Sequence, residues 1–75
     1  METILLDVMH KVFSLPKDSI SNESSMENIE NWDSLTHLQL VTSIEDAFNI
    51  KIDVSEIIDM TSVSAIIGIL KNKGV

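Results

Sequence analysis

The sequence predicts an all-α domain, a small four-helix bundle with a short third helix and a long loop between helices 1 and 2. Three observations lead there. Apolar residues recur every three or four positions in separate segments of the chain. No pair of alternating strands is signalled. With 75 residues and no cysteine, residues 1–75 form a single domain that must rest on one small core, without disulfides or thiolate-bound metal.

The first helix is read from Leu5, Val8, Met9, Val12 and Phe13, which share one face. Pro16 is expected to end it, because the residue before a proline is pushed out of the helical region. The next stretch, KDSISNESSMENIENW, is rich in Ser, Asn and Glu. So long a connection in so small a domain is usually functional or disordered. Ile20, Met26, Ile29 and Trp32 punctuate it as apolar anchors, which suggests a loop pinned to the core.

Asp33 is a favoured N-cap residue, and its carboxylate complements the positive end of the helix dipole. In the helix that follows, Leu38, Leu40, Val41, Ile44, Ala47 and Phe48 fall on one broad arc, read as the core face. Leu35, Gln39, Thr42 and Asp46 fall opposite, so Leu35 is an apolar residue on a polar face beside Ser34. Ile50 and Ile52 are expected to turn inward from a short extended connection. Asp53 and Ser55 are both suited to cap a short helix through Glu56, Ile57, Ile58 and Met60. Thr61 or Ser62 caps the last helix, which carries Val63, Ile66, Ile67 and Leu70 inward. Lys71 and Lys73 suit the negative end of that helix, with Gly74 following. Gly68 weakens the helix, and close packing is the one role it suggests.

Charge narrows the partners. Residues 18–59 hold ten carboxylates against Lys51 alone, a local net charge of −9 within a total of −7. Such a polyanion repels nucleic acid and anionic lipid and is steered towards basic protein surfaces. The N-terminus lacks a basic leader, and no apolar run is long enough to span a bilayer. A cytoplasmic, monomeric protein without membrane insertion is therefore expected.

The residues offer little chemistry of their own. His10 and His37 are the only histidines, there is no cysteine, and the carboxylates lack the spacing of a calcium loop, so no metal is expected. Gly68 and Gly74 are the only glycines, which excludes a glycine-rich phosphate cradle. His37 follows Ser34 by three residues and leans back towards it on a helix. A hydrolytic triad also needs an orienting carboxylate beyond the imidazole, an oxyanion hole and a dry pocket. One small helix does not supply these, so no catalytic residue is assigned and His37 is read as a packed histidine. Ser34 is left with two readings. It is a capping serine at the helix start, or its hydroxyl is modified where unpaired backbone N–H groups and the dipole favour an anion.

From Trp32 to Leu70 the chain resembles an acyl carrier protein of the phosphopantetheine-binding family. The resemblance is carried by D-S-L at 33–35, the helix LxLVxxIEDAF ending at Phe48, I-x-I at 50–52, the acidic short third helix and T-S-V at 61–63. The first helix agrees in position. The resemblance implies that Ser34, with Asp33 adjacent, bears a covalent 4′-phosphopantetheine taken from coenzyme A. A phosphopantetheinyl transferase would attach it. An acyl- or aminoacyl-loading ligase and acyltransferase or synthase enzymes with basic patches would then use it. The free-standing protein would hold an acyl group as a thioester and deliver it without catalysing a reaction. Leu35, Gln39, Thr42, Glu45 and Asp46 would dock partners, and Leu38, Ile44, Ile57 and Ile66 would line a shelter for the acyl chain. Thr36, Gln39 and Ala47 stand where fatty-acid-synthesis members are often acidic, which implies a specialised pathway. The alternatives are a peptidyl or aminoacyl carrier and an acidic interaction module with Ser34 unmodified.

Overall fold

Four helices form where the apolar periodicity places them. A computed structural model describes all 75 residues, Met1 to Val75. They are α1 (Glu2–Phe13), α2 (Ser34–Phe48), α3 (Val54–Asp59) and α4 (Val63–Asn72), with a single 3-10 turn at Lys17–Ser19. Leu5, Met9 and Phe13 bury the inner face of α1, and Val63, Ile66, Ile67 and Leu70 that of α4. α1 packs on α2, and α3 on α4.

α1 ends earlier than its proline. Ser14 takes a left-handed conformation, φ 55°, and its N–H bonds back to the His10 carbonyl. The Leu15 N–H reaches the same carbonyl at 3.2 Å. This closure satisfies orphan carbonyls of the last turn, and Pro16 then prevents resumption of the helix.

The long loop lies on the core as its anchors require. Ile20, Ile29 and Trp32 are buried and Met26 is half-buried. It is also stitched to the start of α4 by a two-residue bridge, with Met26 N–H on the Thr61 carbonyl and Val63 N–H on the Ser24 carbonyl, both at 3.0 Å. Ser24 is buried there and accepts from the Ser21 N–H. Ile52 is buried and Ile50 packs against the core, as the I-x-I spacing predicts.

Asp53, not Ser55, precedes α3, and Glu56 reaches back to accept the Asp53 N–H at 2.9 Å. Ser62, not Thr61, caps α4 by accepting from Ala65 N–H. Lys73 does more than complement the dipole: it meets Glu56 at 2.9 Å and ties the end of α4 to α3. The close packing suggested for Gly68 is absent, since a Cβ built there would meet nothing within 4 Å.

Two residues assigned to the core face of α2 are exposed. Leu38 is 58% exposed, and Ala47 also faces solvent. The buried line runs through His37, Leu40, Val41 and Ile44. Leu38 and Ala47 lie about 100° and 80° to either side of His37, beyond the reach of the neighbouring elements.

Candidate functional site

The start of α2 is built by a reciprocal cap. Asp33 Oδ1 accepts from the Leu35 and Thr36 N–H groups at 3.1 and 3.0 Å, while Asp33 N–H donates to Thr36 Oγ1 at 2.9 Å. The Thr36 hydroxyl donates to the Asn31 carbonyl at 2.6 Å, and Asn31 Nδ2 donates to the Phe13 carbonyl at 3.0 Å. Residues 31–36 are thus held to α1 and to one another. The Thr36 N–H, foremost among these bonds, holds the Asp33 carboxyl below its ordinary value of 3.8.

Ser34 is the first helical residue, exposed, with Asp33 and not Ser34 acting as the cap. Its hydroxyl enters none of the hydrogen bonds around it and is free to react. One expectation is corrected here. The Leu35 and Thr36 N–H groups are not unpaired, because Asp33 already occupies them. Asp33 thus already supplies a negative charge at these two donors.

His37 is committed elsewhere. It is 9% exposed. Its Nδ1 accepts from Trp32 Nε1–H at 2.9 Å, and its Nε2 lies 2.8 Å from the Ile57 carbonyl. An indole N–H only donates and a carbonyl only accepts, so the ring is neutral with its proton on Nε2. Neither nitrogen is available to Ser34, which removes the geometric basis for a Ser–His hydrolase. Trp32, itself buried at 3% exposure, rests on Phe13 with ring centroids 5.1 Å apart.

The outward face beside Ser34 is more apolar than the helical wheel implies. Leu35 is 67% exposed and joins Leu38, Gln39, Thr42 and Ser43 around a shallow groove. Asp46 is exposed further along the helix. Glu45 is half-buried and turned away, with Oε2 accepting the Ile52 N–H at 2.9 Å. Val54 and Ile58, to which the sequence assigned no docking role, are exposed at 73% and 68%. Their spacing of four in the short α3 was the available signal that they share a face.

The residues named as an acyl shelter are not gathered around a cavity. Ile44 and Ile66 are fully buried, Ile57 is half-buried and Leu38 faces out. The apolar-lined cleft, of about 220 Å³, lies instead between the start of α1, the loop and α4, lined by Leu5, Met9, Ile20, Val63 and Ile67. No helix is long and apolar enough to cross a membrane.

Two comparisons bear on this arrangement. The family described as a phosphopantetheine attachment site matches residues 3–70. The acyl carrier protein of Buchnera aphidicola subsp. Baizongia pistaciae (strain Bp) is 32% identical over 71 residues, covering 95% of this chain and 91% of that protein.

Proposed function

The chain belongs to the phosphopantetheine attachment-site family, whose members are carriers and not catalysts, and from that premise we propose that Ser34 is the attachment residue. The observation that carries the reading is an exposed serine with an unengaged hydroxyl at the first position of a firmly capped helix. The residues fit the group: Oγ is free to form a phosphodiester, and nothing stands between it and solvent. Attachment would exchange the hydroxyl proton for the phosphopantetheinyl group of coenzyme A, with the nucleotide bisphosphate leaving. When attached, 4′-phosphopantetheine supplies the thiol that this cysteine-free chain lacks, and with it a thioester link to an acyl or aminoacyl group.

The remaining residues present that serine to other proteins. Asp33 and Thr36 hold the helix start, so the backbone that carries Ser34 is fixed while its hydroxyl stays free. Leu35 and Leu38 provide apolar contact beside it, with Gln39 and Thr42 at the rim and Asp46 as a charged contact for a basic partner. Because Glu45 is turned to the Ile52 N–H, the docking face of α2 relies on apolar area more than on charge. That supports a dedicated biosynthetic pathway with its own loading and acyl-transfer enzymes. Processing by general fatty-acid elongation enzymes as readily as a housekeeping carrier would overturn the pathway reading.

The test of Ser34 is intact mass after incubation with coenzyme A and a broad-specificity phosphopantetheinyl transferase. The wild type should gain one arm and Ser34→Ala none. A folded wild type that gains nothing would refute the carrier reading and favour an acidic interaction module.

A further inference from the structure

We infer that His37 locks α2 to α3 and keeps the carried group outside the bundle, so that this chain serves short or polar acyl groups and not long alkyl chains. The inference rests on the reading of Ser34 as the attachment residue.

A long alkyl chain tethered at Ser34 lowers its free energy by leaving water. From Ser34 one way inward runs between α2 and α3, at a seam marked by half-buried Ile57, towards a core in which Leu40, Ile44, Met60 and Ile66 are fully buried. His37, one turn beyond Ser34, stands across that seam. Its two ring nitrogens join three parts of the chain: the loop through Trp32, α2 itself, and α3 through the Ile57 carbonyl. Parting α2 from α3 breaks the bond to Ile57, and displacing the ring breaks the bond to Trp32. An alkyl chain restores neither: the first leaves the imidazole N–H and the Ile57 carbonyl without each other, and the second strands the buried indole N–H as well. The cost is incurred wherever the alkyl chain parts this seam, and a short or polar acyl group has too little apolar area to offset it.

The apolar cleft on the other side does not substitute. It opens at the first turns of α1, whereas Phe13, at the far end of α1, is the residue packed on Trp32. Leu5 and Phe13 are separated by ~12 Å along that helix. Leu38, which would contribute to a shelter if it faced inward, lies on the solvent side of the seam.

The experiment loads Ser34 with arms carrying octanoyl or acetyl groups, intact mass confirming each loading. Failure to load at all refutes the attachment reading itself and is thereby distinguished from failure of the present inference. On the loaded wild type, the side-chain methyl signals of Ile44, Ile57 and Ile66 are compared between the two cargoes, together with the rates of thioester hydrolysis. The expected result is matching methyl signals and hydrolysis rates in the same ratio as those of the free octanoyl- and acetyl-pantetheine thioesters. In His37→Ala, the octanoyl form alone should shift those methyl signals and hydrolyse more slowly. Trp32→Phe, which loosens the ring but leaves it in the seam, should fall between the two, and it decides the matter if His37→Ala does not fold. Wild-type protein that already shifts its methyl signals and protects octanoyl would overturn the inference. So would folded variants that behave as the wild type does.

Discussion

The Trp32–His37 hydrogen bond joins the loop to α2 in the core, and its energetic weight can be isolated. Trp32→Phe keeps a ring against Phe13 but removes the donor to His37 Nδ1. A buried polar atom left unpaired costs about 1–3 kcal/mol, to which the smaller ring adds lost packing. His37→Leu strands the indole N–H instead, at a similar cost of about 1–3 kcal/mol. The double variant replaces both polar partners by apolar atoms, so it should be more stable than the sum of the singles by about 1–2 kcal/mol. Loss of the contact to the Ile57 carbonyl occurs with and without Trp32 and cancels in the cycle. A core this small supplies only about 3–5 kcal/mol in total, so each single variant loses a large fraction of it. Urea unfolding followed by far-UV circular dichroism is the assay, because Trp32 is the only tryptophan and its fluorescence is lost in half the cycle. Single effects that add to within about 0.5 kcal/mol would refute the coupling.

Other expectations follow from the same contacts. Gly68→Ala should stabilise the protein by about 0.5–1 kcal/mol, since the helical site is open and alanine is the better helix former; a loss on thermal unfolding would contradict this. Leu38→Gln should change stability by no more than about 0.5 kcal/mol, because the side chain is exposed, yet slow modification by the transferase. Three carboxyls are held below their ordinary values: Asp7 by the hydrogen bond from Lys11 and then Lys17, Asp33 by the Thr36 N–H, and Glu56 by Lys73. Their folded-state values lie below the unfolded ones, so their contribution is present above the unfolded values, 3.8 for aspartate and 4.5 for glutamate, and is lost as pH falls. Urea midpoints measured at fixed ionic strength from about pH 6 to about pH 3 should decline, and less steeply in Asp33→Asn/Glu56→Gln. Parallel declines would show that these carboxyls are not linked to folding.

The docking face and the core of α2 were divided imperfectly by periodicity. A helical wheel orders side chains around an axis but carries no information on how wide a stripe the neighbouring elements cover. α1 and α4 bury the faces expected of them because their apolar residues are strongly one-sided. α2 is apolar over a broader arc, and its Leu38 and Ala47 fall outside the strip that the rest of the fold covers.

What the sequence by itself determined is local. Asp33 before a periodic run specifies where α2 starts and leaves Ser34 at its first position, because a cap is satisfied within one turn of the chain. The apolar anchors of the loop likewise predict its attachment to the core. Only the tertiary structure decided that both nitrogens of His37 are taken, by Trp32 five residues before it and by the Ile57 carbonyl twenty residues after it. It also decided that Ser24 and Met26 stitch the loop to α4, that Lys73 reaches Glu56, and that no neighbouring element covers Leu38. Each of these depends on which distant element arrives at a given face, and that is settled by packing the helices together, not by the propensity of any one of them.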